Sequence, residues 1–300
     1  MPGQSGPKRP RQYDGAMRTL ILALLLAAVF GLFLPSAQNR LRGLLLSCPR
    51  LIWAVPFLLT AVFAAASLVA RAFSVELTAF VLAYTAAPLA CLWFAEADFV
   101  AVLLLWLPLE FAAGGALVPR PAQGFLHSVA YGIAILLGLI LFLGFRRLEG
   151  MKYNLPRGGR DFWLPLAAFA ITAPVLAAVG IPIGFIPPPH LSAASAGKMA
   201  GAMGLIFAGT AIPEEILFRS LIQNLMMQRW GANTRVLLAA SFIFGCAHLD
   251  NGPQPLPNWR YMILATVAGI AYGKVFEMSS TVLSSAALHS LVDWTKHFFF

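Results

Sequence analysis

From Leu20 onward the chain is a succession of apolar runs, most near the length of a membrane crossing, divided by short basic or proline-rich breaks. A bilayer core takes roughly 20 mostly apolar residues per helix, with every backbone polar group satisfied inside the span. Such runs mark spans at residues 20–34, 51–70, 77–95, 99–118 and 125–145. Beyond a polar stretch they mark further spans at 162–181, 199–227, 235–248, 261–276 and 281–299. Composition agrees: 59% of residues are hydrophobic and 11% charged, too few to coat a soluble protein of this size. The fold class is all-α, a polytopic transmembrane helical bundle of about eight to ten spans.

The net charge of +9 is spread over loops and the amino-terminal tail, where it reflects topology and anionic headgroups. No basic stripe interleaved with aromatics points to nucleic acid, so the partner read from charge is the lipid bilayer. Residues 1–18, with Lys8, Arg9 and Arg11 among Pro and Gly, read as a disordered basic tail. Residues 19–145 form an extension of about five helices, and 146–161, with Arg146, Arg147, Lys152, Arg157 and Arg160, a polar connecting loop. Residues 162–300 make up the second half. Orientation is contradictory, because basic residues favour a cytoplasmic face for both the tail and the 146–161 loop, and five spans between them cannot satisfy both. Either an early span is miscounted, 20–34 being the weakest, or the tail lies outside. Cys48, Cys91 and Cys246 are far apart and lack metal-binding spacing, so buried inert thiols are expected.

Ionisable groups at membrane depth are costly and mark functional sites. Here they fall on a few points of the second half. Pro213-Glu214-Glu215-Ile216-Leu217-Phe218-Arg219 ends an apolar run. Residues four apart share a helix face, so Glu215 can pair with Arg219 while Glu214 points about 100° away and is free to face a cavity. Pro213 removes a backbone donor, and a bend or break is expected there. His248 closes another span, and His289 and Asp293 share a face of the last one. A carboxylate in a low-dielectric surround is a competent base or acid near neutrality. A histidine can hold and polarise a water, and further polar groups can donate to an oxyanion. These are the components of a hydrolase without a protein nucleophile. Glu110, mid-span in the first half, reads as a neutral, hydrogen-bonded acid or as a substrate or catalytic-half contact. His127, His190 and His297 read as interfacial, residues 186–190 as a rigid connector outside the membrane, and Gly269 and Gly273 as a site of close helix packing.

The series Glu-Glu-x-x-x-Arg, Phe-x-x-x-His and His-x-x-x-Asp, in order on successive spans, resembles the CPBP family of intramembrane proteases (CAAX protease and bacteriocin-processing, also Abi). The resemblance covers residues 162–300 and implies a CPBP-like catalytic core there. It implies peptide-bond hydrolysis by a glutamate-activated water, with no cofactor or metal, on a membrane-anchored peptide or protein substrate. By matching position, Glu214 is the implied base, His248 the water-holding residue, and His289 with Asp293 the oxyanion site, supported by Glu215 and Arg219. Asp293 stands where many relatives have Asn. An ionised Asp cannot donate to an oxyanion, so it is either protonated or orients His289. The family's distribution implies a bacterial cytoplasmic membrane. Two other readings fit the same residues. One is a zinc-dependent membrane protease with Glu214, His248, His289 and Asp293 as ligands; the other is a non-catalytic binding, immunity or transport protein on the same fold.

Overall fold

A computed structural model describes residues 12–110, 123–251 and 255–300, and every element among them is a helix. Most of the expected disordered tail lies outside the described residues, as do positions 111–118 of the fourth expected span and part of the turn after His248. The first half contains α1 Gln12–Gly31, α2 Pro35–Ser47, α3 Ala54–Val69, α4 Val75–Ala90, α5 Asp98–Glu110 and α6 Gln123–Leu139. A 3-10 turn at Pro49–Trp53 leads into α3, and α4 and α6 run on through wider turns to Ala95 and Phe145. The second half contains α7 Arg160–Gly180, α8 (residues 196–230), α9 Thr234–Cys246, α10 Trp259–Met278 and α11 Val282–Phe299.

Five helical stretches among the described residues are long and apolar enough to cross a bilayer: Pro49–Val69, Val75–Ala95, Gly124–Phe145, Arg160–Gly180 and Trp259–Met278. The pair formed by α1 and α2, bent by 88°, makes a sixth if it is one span. The count falls short of the expected eight to ten for physical reasons. Thr234–Cys246 has 13 residues, about 20 Å at 1.5 Å per residue, against a core of roughly 30 Å. The two helices that bear Glu214 and His289 carry ionisable side chains that lower their hydropathy. The outer faces are apolar, with Ile171 70% and Leu58 64% exposed, a surface suited to acyl chains rather than water. The protein is an integral membrane protein. Cys48 departs from expectation. It is exposed at the end of α2, where the helix gives way to the Pro49 turn, while Cys91 and Cys246 are partly buried.

Two features fix the second half. First, α9 and α10 meet through glycines. A Cβ on Gly245 would lie 2.6 Å from the Met262 carbonyl oxygen, and one on Gly273 2.6 Å from Leu237. The resulting backbone approach sets Phe244 and His248 against α10.

Second, the connecting loop is tied to the α10–α11 turn. Lys152 Nζ donates to the carbonyls of Phe276, Glu277 and Ser279 at 2.6, 3.0 and 2.9 Å, closing the carboxy-terminal end of α10. A cation there offsets both the unpaired carbonyls and the helix dipole. Burial pulls the Lys152 ammonium below the ordinary lysine value. Asp161 accepts from the Ser280 backbone N–H at 2.8 Å and from its hydroxyl, and the Asp161 carbonyl accepts from Ser284 at 2.9 Å. The loop reaches α8 as well: Ser220 donates to the Met151 carbonyl and Asn224 to that of Glu149, both at 2.7 Å. Tyr153 extends it to the first half, donating to the Val29 carbonyl and stacking on Phe33 at 3.8 Å.

Candidate active site

Helix α8 runs past Pro213 without a break. Proline has no N–H for the carbonyl four residues back, here Gly209. The helix widens instead: Phe207–Ala211 and Ile216–Gln223 form π-type turns, and the Ile212 N–H bonds the Phe207 carbonyl, five residues back. Widened turns of this kind recur at functional sites. Between them sits the short Ile212–Glu215 turn that carries both glutamates.

Glu215 is fully buried and is the hub of the cluster. Its carboxylate accepts from Arg219 Nε at 3.0 Å, takes the Ser285 hydroxyl, and faces His289 Nδ1 at 3.0 Å. The Ser285 oxygen also lies 2.9 Å from the Tyr272 carbonyl, so its single hydrogen is shared between two acceptors. Arg219 is as buried as its partner. Its terminal nitrogens have no hydrogen-bond acceptor among the described residues. The faces of Phe244, at 4.8 Å, and Tyr272, at 5.9 Å, stand beside the guanidinium instead and attract it electrostatically.

His289 joins this hub to an outer pair of carboxylates. Its Nε2 lies 3.4 Å from Asp293 Oδ2 and 3.8 Å from Glu214 Oε2. The ring stacks on Tyr272 with centroids 4.6 Å apart, which fixes its plane. Unlike Glu215, the Glu214 and Asp293 side chains are 26% and 32% exposed. His248 stands apart from these ion pairs. Its Nδ1 lies 2.8 Å from the Phe244 carbonyl oxygen. A carbonyl only accepts, so Nδ1 carries the hydrogen, and in the neutral ring Nε2 keeps a lone pair. Tyr261 and Phe244 meet the His248 ring edge-on at 4.5 and 4.8 Å.

Two cavities that share part of their walls meet these residues. A chamber of 40 Å3 is lined by Phe244, His248, Tyr272, His289 and Asp293, among others. A single water needs roughly 10–15 Å3 measured in this way, so the chamber is water-sized. Outside it lies a cavity of 640 Å3, and Phe185, Tyr261, Asp293 and Lys296 line both. Ile186 and Pro187, read from the sequence as part of a rigid connector outside the membrane, form part of its wall.

The structure thus gathers Glu214, Glu215, Arg219, His289 and Asp293 into one bonded or near-contact network, and brings His248 to the chamber shared with His289 and Asp293. Glu110 is the last residue of α5, and its side chain lies outside what is described. Sequence reading missed Ser285, Tyr272, Tyr261 and Lys296. Ser285 had a usable signal, one turn before His289 and on its face; the tyrosines had none, being ordinary members of apolar runs. Among the described residues no three His, Cys, Asp or Glu side chains are arranged to share a metal ion.

Residues 196–295 match the model of a known family, the type II CAAX prenyl endopeptidase Rce1-like family. That segment is similar to the Rce1-like family. It contains Glu214, Glu215, Arg219, His248, His289 and Asp293, and it begins where α8 begins. The Rce1-like match supports an intramembrane protease of the CAAX type in general terms. No curated protein and no solved structure matches the chain.

Proposed function

We propose that this protein is a glutamate-dependent intramembrane endopeptidase acting on a membrane-anchored peptide or protein, with its catalytic unit in residues 162–300. A water in the small chamber is held by the free Nε2 of His248 and loses its proton to Glu214 as its oxygen attacks the peptide carbonyl. The carbonyl π electrons pass to oxygen, and an N–H of His289 stabilises the oxyanion. Collapse expels the amine, which takes the proton back from Glu214. Asp293, ionised, orients His289 instead of donating to the oxyanion. Glu215 and Arg219 hold the imidazole from behind. A bacterial cytoplasmic membrane is the location that the family resemblance implies.

The observation that carries this reading is the asymmetry of the two glutamates. Glu215 has three side-chain partners and no exposure, whereas Glu214 keeps a quarter of its side chain open beside His289. The first is suited to holding a structure, the second to moving a proton. The test is proteolysis of a membrane-anchored peptide library by purified protein, wild type beside Glu214→Gln, with and without chelator. Cleavage that persists in chelator and disappears in the variant is expected. Cleavage equal in both proteins removes Glu214 as base, and cleavage lost to chelator and restored by zinc replaces the mechanism with a metal-dependent one.

A further inference from the structure

The large cavity carries a cation that the proposed chemistry does not use. Lys296 lies one turn beyond Asp293 on α11, and both line the cavity. Its ammonium sits 4.4 Å from the Phe185 ring centroid and 4.6 Å from that of Tyr261. Among the described residues no carboxylate is within ion-pair distance of it, and no oxygen accepts a hydrogen bond from it. Asp293, the carboxylate nearest along the helix, is turned to His289. The two rings fix where the charge sits without neutralising it. The remaining wall includes Ile186, Leu205, Ile206 and Phe300, so the ammonium faces a largely apolar space. A pocket of a few hundred cubic ångströms with apolar walls and few placed polar groups is the usual form of a recognition site.

We infer that Lys296 is a specificity-determining residue that binds a carboxylate of the peptide substrate at the threshold between the two cavities. The inference rests on the proposed peptidase reading, because a peptide brings anionic charge only as a side-chain carboxylate or as its own carboxy terminus. Asp293, three residues before Lys296 and on the wall of both cavities, acts on the ammonium electrostatically without reaching it, so a substrate carboxylate is drawn to Lys296 against partial opposition from Asp293, and the affinity measurement reads the net preference. The ammonium keeps its aromatic contact and gains a charge-assisted ion pair, which is stronger than a neutral hydrogen bond.

The test uses membrane-anchored peptide pools of one design in three versions. The first has a free carboxy terminus and no acidic residue, the second is amidated with no acidic residue, and the third is amidated with a single Glu. Affinity is measured on the Glu214→Gln protein, with and without Lys296→Gln or Lys296→Arg, and cleavage on the proteins that retain Glu214. The free-terminus or the Glu pool should bind about tenfold tighter than the neutral amidated pool, and which of the two does so identifies the source of the carboxylate. Lys296→Gln should bring the ratio close to one, and Lys296→Arg should retain most of it. Equal affinity for all three pools, or equal weakening of all three by Lys296→Gln, overturns the inference and leaves the lysine as packing between Phe185 and Tyr261. A Lys296-dependent preference without cleavage keeps the pocket assignment and defeats the hydrolytic reading. Cleavage without any preference does the reverse.

Discussion

Two polar clusters are buried in the second half, and neighbouring serines on α11 belong to different ones. Ser284 bonds the Asp161 carbonyl, in the knot that ties the connecting loop to the α10–α11 turn; Ser285 bonds Glu215, in the hub of the candidate site. In the knot, side chains mostly serve backbone. Lys152 takes three carbonyls, and Asp161 takes the Ser280 and Arg157 N–H groups. In the hub, side chains serve one another, and the network ends at two partly exposed carboxylates, of which Asp293 lines the cavities. Clusters of the first kind satisfy helix ends and loops. Clusters of the second kind hold groups ready to change partners, which is what distinguishes chemistry from architecture here.

The sharpest break of this comparison is Glu214→Gln. Removing a general base lowers turnover by about 10²–10⁴-fold, and because the side chain is partly exposed the unfolding temperature in detergent should stay within a degree or two. A large thermal loss would move Glu214 into the structural class. Next comes Arg219→Met, which leaves the Glu215 carboxylate buried without its cation. A loss of about 3–5 kcal/mol is expected, read by thermal unfolding, with cleavage falling in step because His289 loses its support.

How much of this was legible in the sequence follows from where the contacts reach. Glu214, Glu215 and Arg219 could be read because one helical turn relates them, and so could His289 with Asp293. The link between the two groups could not, since Glu215 and His289 are 74 positions apart. The knot was hidden for the same reason: Lys152 read only as one more loop charge, although its three acceptors lie 124 to 127 positions away. The lengths of individual helices were not legible either, since hydropathy does not reveal that the helix ending at Cys246 is short or that the chain turns by 88° after Gly31.

A smaller effect separates the clusters from the other side. Lys152→Met should destabilise by about 1–3 kcal/mol through the uncapped carbonyls of α10, while cleavage per folded molecule is unchanged. Loss of cleavage beyond the folded fraction would show that the knot reaches the catalytic groups. The smallest is Ser285→Ala, at about 0.5–1.5 kcal/mol, with a modest fall in turnover and no change in apparent substrate affinity. A selective change in affinity would place Ser285 on the substrate side of the hub.

The widened turns around Pro213 have a consequence for how such a chain can vary. A π-type turn is an α-helix holding one residue more than its length requires, so the bearing of everything beyond it depends on local residue number as well as residue type. Deleting Gly209 alone would remove that spare residue, letting the turn at Phe207–Ala211 tighten to an ordinary α-turn with the carboxylates beyond it near their present bearing, whereas an inserted residue that no further widening absorbs would swing them by about 100° about the helix axis and take Glu215 away from His289. In this stretch of α8 an unabsorbed insertion acts as a point mutation of direction, and the segment should tolerate the loss of one residue better than the gain of one.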